Sequence, residues 1–176
     1  MLPPLRRLRP EEWSRLRLAR LTALKDSPDA FLAKHDQEMS YSRERWEAEF
    51  SRGDWFIGEL GKKPVCMTGV TREYDMPLDE CYLEYVWVAP EFRRSRVAYD
   101  MLNEVLGVLK ASGIRTVFLW VLEGNEAALW LYKRLNFQSA YDRQPLPDDP
   151  RYEEKLTLEL TELAVPLAGT PELSIG

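Results

Sequence analysis

A short polar turn near the middle of the chain is the segment whose chemistry is clearest from residue types alone. It consists of Arg93, Arg94, Ser95 and Arg96, and it lies between Val88-Ala89-Pro90 and an amphipathic helical pattern. A turn that opens into a helix directs unpaired backbone N–H groups and the positive end of the helix dipole at one point. Guanidinium groups add charge-assisted hydrogen bonds to an anion. The turn therefore predicts a phosphate-binding site.

Two further side chains have types that suit proton transfer. Tyr132 lies in a helical pattern that begins at Asn125, a favourable N-cap residue. Glu84 interrupts an apolar strand, where a carboxylate is costly to bury without a partner or a purpose. Tyr132 is also explained as a core aromatic residue, and Glu84 equally well as a solvated or ion-paired side chain.

Strand alternation predicts where the Glu84 side chain points. Residues two apart in a strand face the same side of a sheet. Glu84 should therefore share a face with Tyr82, Val86 and Val88.

Composition and charge exclude several classes of protein. The chain has 176 residues, 45% apolar and 30% charged, which is typical of one globular domain. Its net charge of −5 disfavours a nucleic-acid partner despite the basic turn. His35 is the single histidine, and Cys66 and Cys81 have no metal-site spacing, so we expect no metal. We expect two reduced, buried thiols in a cytoplasmic protein.

The ends of the sequence carry no targeting or membrane signal. The N-terminal residues lack the apolar run of a signal peptide, and no stretch approaches the roughly 18 apolar residues of a membrane helix. We therefore expect no membrane partner. Residues 1–163 are predicted to form one domain, and residues 164–176 a tail that is flexible or docks on a neighbour, as in a homodimer.

Hydrophobic periodicity predicts the elements that position these residues. Helices are predicted from Pro10 to Asp26, Ser42 to Gly53, Ser95 to Ser112 and Asn125 to Leu135. Strands are predicted over Leu5–Arg9, Trp55–Leu60, Val65–Tyr74, Cys81–Ala89, Thr116–Leu122, Phe137–Tyr141 and Tyr152–Leu160. The segments Phe31–Gln37 and Asp142–Arg151 are predicted loops.

The connections between these elements predict the fold class. Short turns make the strands between Trp55 and Ala89 antiparallel neighbours. The helix that separates Cys81–Ala89 from Thr116–Leu122 makes those two strands parallel. We predict an α/β (α+β) domain with a mixed, mostly antiparallel twisted sheet of about six to seven strands and helices on both faces.

Two motifs in this arrangement resemble those of a known family. The first runs from Val88-Ala89-Pro90 into Arg93-Arg94-Ser95-Arg96-Val97-Ala98. It resembles the V-x-P strand end and the (Q/R)-x-x-G-x-(G/A) turn of the GNAT superfamily, the acetyl-CoA-dependent N-acetyltransferases. Arg96 departs from the family, which usually has Gly there, and Arg94 stands where Gly is also common. The arginines either hold phosphate or obstruct its approach, and the sequence leaves both outcomes open.

The second motif resembles the family signature N-x-x-A-x-x-L-Y-x-x-x-G-F. The matching residues are Asn125, Ala128, Leu131, Tyr132 and Phe137, with Asn136 in place of Gly. Asn136 is a mild departure, because Asn tolerates the left-handed conformation that ends helices.

The resemblance implies acetyl transfer from acetyl-CoA to an amine, with no metal. It implies that Tyr132 protonates the departing thiolate and that Glu84 deprotonates the amine. The implied cofactor contacts are Val86, Trp87, Val88, Arg93, Arg94, Ser95, Arg96, Val97, Ala98, Asn125, Ala128 and Tyr132. The resemblance also implies that the backbone of Val86–Val88 pairs with the pantetheine arm and polarises the thioester carbonyl, in a slot that should open where this strand diverges from Thr116–Leu122.

The acceptor is expected beside the first helices and the acidic loop. Phe31, His35 and Asp142 are the candidates to contact it, although a lone His and an acidic loop are often simply solvated. The side chains of Trp87 and Trp120 are predicted to pack under helices and not to bind ligand.

Two functions follow from the resemblance. The first is an N-acetyltransferase that acts on a primary amine of a small molecule or a peptide. The alternative is a catalytically weak or inactive protein of the same fold that binds acyl-CoA or a protein partner as a regulator, which Arg94 and Arg96 motivate.

Overall fold

The computed structural model describes residues 3–160, so the predicted tail at residues 164–176 lies outside the described residues. The strands are β1 Leu5–Arg7, β2 Gly53–Leu60, β3 Lys63–Thr71, β4 Glu80–Val88, β5 Thr116–Leu122, β6 Gln138–Pro145 and β7 Tyr152–Glu159. The helices are α1 Trp13–Asp26, α2 His35–Met39, α3 Arg43–Arg52, α4 Val97–Ala111 and α5 Glu126–Arg134. Three short 3₁₀ helices occupy Pro10–Glu12, Pro28–Ala30 and Pro90–Phe92.

Side-chain caps start two of the helices at the residues that the sequence predicts. The Ser42 hydroxyl accepts a hydrogen bond from the backbone N–H of Arg45, 3.3 Å away, at the start of α3. The Asn125 side chain accepts one from the N–H of Ala128 at 3.2 Å, which starts α5. Each cap satisfies a backbone donor that has no partner within its helix, so both boundaries are set by local sequence.

The described strands form one seven-stranded sheet in the order β1-β2-β3-β4-β5-β7-β6. Neighbouring strands are antiparallel except β4 and β5, which are parallel. The predicted fold class is therefore confirmed, including the parallel pair. Sequential hairpins build one half of the sheet, whereas α4 and α5 form crossovers in the other half.

Two apolar cores cover the two faces of the sheet, as predicted. On one face α4 and α5 contribute Met101, Leu102, Val105 and Tyr132 to a core that includes Val88. On the other face α1 and α3 pack a second core, whose largest members are Leu16, Trp46, Trp55, Ile57 and Trp87. Consecutive strand residues such as Trp87 and Val88 belong to opposite cores, as strand alternation requires.

Two of the predicted loops are wrong at one end. The predicted loop Phe31–Gln37 ends early, because His35 begins α2, a short helix that carries little apolar periodicity. The predicted loop Asp142–Arg151 begins late, because β6 continues to Pro145. Most side chains of this edge strand are polar and exposed, so its sequence shows no alternation of apolar and polar residues. Its backbone pairing with β7 holds it in the sheet.

Both cysteines are free and buried, as predicted. Burial raises the pKa of Cys66 to about 11 and that of Cys81 to about 12. Both thiols are therefore protonated at neutral pH and are poor nucleophiles.

Candidate active site

The main cleft opens where β4 and β5 separate. The two strands pair only over Glu80–Tyr82 and Thr116–Phe118. Beyond this point β5 continues to pair with β7 as far as Leu122, while β4 turns away toward β3. The far end of β4 therefore presents a backbone edge that has no partner strand in residues 3–160, as the predicted divergence requires.

A β-bulge in β4 drives this separation. Met67 pairs with Trp87 and Gly69 with Glu84, so that two residues of β4 stand opposite Thr68. One of the two, Tyr85, has a φ of 55°, and the Thr68 hydroxyl donates a hydrogen bond to the Glu84 carbonyl at 3.0 Å. A bulge increases local twist and redirects side chains, and here it turns β4 away from β5.

The bulge also overturns the predicted orientation of Glu84. Val86 and Val88 pack on the face that carries α4 and α5, whereas Glu84 lies near Arg20 and Arg52 of α1 and α3. The prediction that Glu84 shares a face with Val86 and Val88 is therefore wrong. The extra residue of the bulge breaks the two-residue alternation on which the prediction depended.

The cleft has a volume of about 700 Å³ and brings together most of the predicted site residues. Those that line it are Phe31, Glu84, Val86, Trp87, Val88, Arg93, Arg94, Ser95, Arg96, Ala98, Asn125, Ala128 and Tyr132. Three predicted residues do not line it: Val97 is buried in the core, His35 lies beside Asp36 at the start of α2, and Asp142 is exposed on β6.

The turn before α4 leaves its backbone donors free. Within residues 3–160, no acceptor pairs with the N–H groups of Arg94, Ser95 or Arg96. The Ser95 hydroxyl donates to the Phe92 carbonyl at 2.5 Å and accepts from the Val97 N–H at 3.3 Å, which holds the turn in shape. Free N–H groups at the start of a fifteen-residue helix suit an anion, as the sequence predicts.

The two arginines that replace glycine differ in backbone conformation. Arg94 has a φ of 56°, the left-handed region that favours glycine, whereas Arg96 has a φ of −84°, which any residue adopts. The Arg96 side chain is 74% exposed and lies 3.5 Å from Asp100. Neither side chain fills the cleft, which remains open beside them.

Arg93 has a different role from its neighbours. Its Nε donates to the Val88 carbonyl at 2.9 Å, and its Nη2 pairs with the Asp26 carboxylate at the end of α1. Asp26 also accepts a hydrogen bond from Trp87 Nε1 at 2.9 Å. Burial by itself raises the pKa of Asp26, but hydrogen bonds from Ser27, Trp87 and Arg93 outweigh it and lower the pKa. Arg93 therefore connects the turn to β4 and to α1. Its guanidinium borders the cleft but is already paired with Asp26.

Tyr132 projects from α5 into the cleft wall. Its ring packs edge-on against Phe137, with centroids 5.8 Å apart. Burial raises the pKa of the Tyr132 hydroxyl, and no hydrogen bond within the described residues opposes this effect. The hydroxyl is therefore protonated and has its donor free for a ligand atom in the cleft.

Glu84 and an aromatic group line the inner end of the cleft. Burial raises the pKa of Glu84 above its usual value, although the nearby Arg52 and Arg20 oppose this effect. The Tyr85 ring stacks on Phe31 with centroids 6.3 Å apart. A carboxylate with a raised pKa is better suited to accept a proton near neutral pH than an ordinary one.

Several lining residues were missed by the sequence predictions. They are Tyr85, Tyr99, Trp120, Trp130, Arg134 and Glu153. Trp120 was predicted to pack under a helix, but it lines the cleft because β4 turns away and leaves that face of β5 open. Glu153 is 9% exposed and accepts a hydrogen bond from Gln144. Nothing in the local pattern separates these residues from ordinary surface or core positions.

Neither a metal centre nor a membrane-crossing helix emerges from residues 3–160. No group of three or more His, Cys, Asp or Glu side chains in this part of the chain could hold a metal ion. None of its helices has the length and apolar character needed to cross a bilayer.

Comparison with protein families gives one match that covers most of the chain. Residues 11–137 match the Acetyltransferase (GNAT) family. An uncharacterized N-acetyltransferase of Methanocaldococcus jannaschii is 26% identical over 97 residues, which cover 53% of this chain and 43% of that protein. The matched part is thus less than half the length of that curated relative.

Solved structures of similar fold agree with the observed architecture. An acetyltransferase of the GNAT family from Streptococcus pneumoniae has a TM-score of 0.74 at 17% identity, covering 90% of this chain and 99% of that one. The ribosomal-protein-S18-alanine N-acetyltransferase from Escherichia coli has a TM-score of 0.65 at 19% identity, covering 93% of this chain and 97% of that one. At these identities the likeness shows the fold.

Proposed function

The chain belongs to the GNAT family of acetyltransferases, and we propose that it transfers an acetyl group from acetyl-CoA to a primary amine of a small molecule or a peptide. The observation that carries the proposal is the cleft between β4 and β5. Its outer end has three free backbone N–H groups, and its wall holds the protonated Tyr132 hydroxyl. Acetyl-CoA supplies an activated acyl group, a diphosphate and an extended arm, and the cleft offers groups suited to each.

The turn and the strand edge bind and orient the donor in this proposal. The N–H groups of Arg94, Ser95 and Arg96, together with the α4 dipole, hold the diphosphate. The free edge of β4 at Val86–Val88 pairs with the arm as an added strand. A backbone N–H of this edge then polarises the thioester carbonyl. The Val88 carbonyl already accepts from Arg93, so the outermost part of the edge is fixed before the donor binds.

Tyr132 assists the leaving group. A free thiol has a pKa of about 8.5, so the thiolate that departs is stabilised by a hydrogen bond or a proton. Tyr132 is protonated because burial raises its pKa, and its hydroxyl has no competing partner in the described residues. It donates to the departing sulfur in the transition state.

Glu84 prepares the acceptor. A primary amine has a pKa of about 10 and is mostly protonated at neutral pH, so it must lose a proton before it attacks. Glu84 lies in the cleft with its pKa raised by burial, and it accepts this proton directly or through water. Phe31, which stacks on Tyr85 beside Glu84, contacts the acceptor; His35 and Asp142 are more distant candidates on the surface around it.

We propose a cytoplasmic location, since two buried free thiols suit a reducing compartment.

Ligand-induced stabilisation tests donor binding. A ligand at 100 times its Kd raises the free energy of unfolding by about 2.7 kcal/mol, which shifts the thermal midpoint measurably. We expect acetyl-CoA and CoA to raise the midpoint, and ATP at the same concentration to have a smaller effect because it lacks the arm. An unchanged midpoint with acetyl-CoA would contradict the proposal.

An amine panel tests catalysis. The panel contains small primary amines and a peptide that begins with alanine, since one structural neighbour is a ribosomal-protein-S18-alanine N-acetyltransferase. We expect acceptor-dependent release of CoA with at least one member, and the responding member decides between small amines and peptides. Donor binding without any release would favour a regulator that binds acyl-CoA.

A further inference from the structure

Basic and acidic side chains line different parts of the cleft. The basic ones lie in the turn before α4 and on α5, and they are Arg93, Arg94, Arg96 and Arg134. The acidic ones are Glu84 of β4 and Glu153 of β7. Glu84 is the base in the proposed reaction, whereas Glu153 has no role in it.

The two carboxylates lie on the same face of the sheet, on either side of β5. Val121 of β5 belongs to the core beneath α4 and α5, so its neighbours Trp120 and Leu122 face the other side, as Glu84 does. Glu153 is the cross-strand partner of Leu122 and shares its face. Trp120 and Leu122 also line the cleft, and they form an apolar wall between the two carboxylates.

Glu153 has an oxygen atom that no described group of the protein uses. The residue is 9% exposed, and Gln144 Nε2 donates to its Oε1 at 2.5 Å. Within residues 3–160, its Oε2 accepts no hydrogen bond and no basic side chain forms an ion pair with it. A buried carboxylate is costly without a cation, so its place in a cleft wall points to a cationic ligand.

The cation two positions along β7 does not take that role. The Nζ atom of Lys155 lies over aromatic rings, 4.5 Å from the centroid of Phe118 and 5.7 Å from that of Trp120. The faces of these rings attract the ammonium group. The carboxylate of Glu153 therefore remains available to a cation that enters the cleft.

A bridge between two loops bounds the cleft beside Glu153. Arg151 Nη2 donates to Asp149 at 2.6 Å, and Arg151 Nη1 donates to the Asp29 carbonyl at 3.2 Å. Asp29 lies in the segment that leads to Phe31, which lines the cleft. The bridge thus connects the loop before β7 to the segment after α1. A small acceptor with a flexible chain fits behind this bridge better than the surface of a folded protein does.

We propose that the acceptor is a small aliphatic diamine, which presents one amine to Glu84 for acetylation while Glu153 holds the second as an ammonium ion. This inference rests on the proposed acetyl transfer and names the substrate class of the same site. The second ammonium donates a charge-assisted hydrogen bond to Glu153 Oε2. The methylene chain packs on Trp120 and Leu122, which removes apolar surface from water.

The transfer step balances with the residues already assigned. Glu84 accepts one proton from the reacting ammonium, and the free amine forms a C–N bond to the acetyl carbon while the C–S bond breaks. The departing sulfur takes a proton from Tyr132, which regains one from the nitrogen as the amide forms. The second ammonium keeps its proton throughout, because Glu153 stabilises its charge.

Strand geometry gives the length of the diamine. In the register of β4 and β5, Glu84 is level with Trp120, whereas Glu153 pairs with Leu122. The two residues are therefore two strands apart and offset by two positions, which separates their backbones by about 12 Å. The two side chains shorten this span, so a chain of about six carbons would join the two nitrogen atoms.

Three acceptors of equal chain length test the assignment with the unmodified protein. They are hexamethylenediamine, hexylamine and ε-aminocaproate, which differ only in the group at the far end. We expect kcat/KM per amine to be about tenfold higher for the diamine than for hexylamine, the effect of one charge-assisted hydrogen bond. The value for ε-aminocaproate should be the lowest, because its carboxylate approaches Glu153.

The same comparison separates failure of the inference from failure of the proposed function. Equal values for the diamine and hexylamine, or a preference for ε-aminocaproate, would overturn the inference and leave acetyl transfer intact. Acetylation of a peptide but of none of the three acceptors would do the same. Absence of transfer to every amine and peptide would overturn both.

Substitutions assign the preference to Glu153. Glu153→Gln removes the charge but keeps an oxygen that accepts from Gln144, so the preference for the diamine should disappear. Glu154→Gln is the matched control. Glu154 is the next residue of β7, accepts from Ser139 at 2.5 Å and does not line the cleft, so this variant should keep the tenfold preference.

The variants also provide a contrary result. If Glu153→Gln keeps the preference for the diamine, the second ammonium is held elsewhere and the inference is wrong. If Glu154→Gln loses the preference to the same extent, the effect is general electrostatics and the inference is likewise wrong. Circular dichroism checks that both variants are folded, and the comparison of acceptors decides without any variant.

Discussion

Arginine side chains support both ends of the cleft, but they do so in opposite ways. Behind the inner end, Arg20 is 4% exposed, donates to Glu38 at 2.9 Å and lies 3.7 Å from the centroid of the Tyr85 ring. At the outer end, Arg94 and Arg96 are exposed and nearly free of partners. The buried arginine fixes the shape of the fold, whereas the exposed arginines keep their donors for a ligand.

The physical reason for the difference is the cost of desolvation. A buried guanidinium needs compensation for its lost water, and Arg20 finds it in Glu38 and in the face of Tyr85. Burial by itself lowers the pKa of Arg20, but the hydrogen bond to Glu38 and the nearby Tyr85 raise it overall. Because Tyr85 is the bulge residue, this ion pair supports the strand that opens the cleft.

The largest expected effect comes from breaking the buried pair. Glu38→Ala leaves the Arg20 charge buried without its partner and should lower the free energy of unfolding by about 3–5 kcal/mol. Asp100→Ala breaks the exposed pair with Arg96 and should cost less than about 1 kcal/mol. Urea unfolding of both variants measures the contrast, and similar losses in the two variants would contradict it.

The next effect concerns chemistry at the inner end. Tyr132→Phe removes the protonated hydroxyl and should lower kcat by about 100- to 1,000-fold with the Kd for CoA unchanged. Tyr141→Phe is the control, since Tyr141 is 96% exposed and outside the cleft. Steady-state kinetics with saturating acetyl-CoA and acceptor gives kcat for each variant. A normal kcat for Tyr132→Phe would leave Tyr132 as a packing residue.

Glu84 gives an effect of similar kind and somewhat smaller size. Glu84→Gln removes the proposed base and should lower kcat/KM by about 100-fold at the pH where the unmodified enzyme is fully active. In the unmodified enzyme kcat/KM should rise with pH as Glu84 ionises, with a midpoint above the usual pKa of about 4.3. The variant should lack this rise, and a pH profile that is unchanged in shape would exclude Glu84 as the base.

The same variant should also be more stable than the unmodified protein at neutral pH. Burial raises the pKa of Glu84 in the folded state. The contribution of Glu84 to the free energy of unfolding is therefore fully present below the unfolded pKa of about 4.3, and it is lost as pH rises through the folded pKa. Glu84→Gln removes this loss. Thermal midpoints should therefore be higher for the variant at pH 7 and equal for the two proteins below about pH 4. A lower thermal midpoint for the variant at pH 7 would contradict a raised pKa of Glu84 in the folded state.

The smallest expected effects compare the two outer arginines. Arg94→Gly relieves the left-handed backbone and should stabilise the protein by up to about 1 kcal/mol. Arg96→Gly has no strain to relieve and should destabilise it by about 0.5–1 kcal/mol through the flexibility of glycine. Urea unfolding measures the change in the free energy of unfolding for each variant. If both substitutions stabilise the protein, or both destabilise it, backbone conformation does not explain how they act.

Features that depend on neighbouring residues were predictable from the sequence. The caps at Ser42 and Asn125, the buried strand Thr116–Leu122 and the turn before α4 lie where they were expected. Each is decided by hydrogen bonds or apolar periodicity within a few positions of the chain. The family resemblance, which rests on the turn and on the segment from Asn125 to Phe137, is confirmed by the match over residues 11–137.

Features that depend on distant residues were not predictable. Arg93 was grouped with Arg94 and Arg96 as a phosphate ligand, but it pairs with Asp26, which lies far from it in the sequence. Trp130 and Arg134 line the cleft without any local signal for it, because Arg134 reaches Tyr99 of α4 only where α4 and α5 approach each other. Asp142 was placed in a loop, although its edge strand is defined by pairing with β7.

The sequence by itself determined the order of the strands and of the longer helices, the caps at Ser42 and Asn125 and the position of the turn before α4, because short-range hydrogen bonds and periodicity encode them. Only the tertiary structure decided that Glu84 faces α1 and α3, through the bulge opposite Thr68. It also decided that Arg93 pairs with Asp26, whereas Arg96 stays exposed with only a long contact to Asp100. These orientations and pairings depend on residues that strand pairing and helix packing bring together, so the local sequence does not predict them.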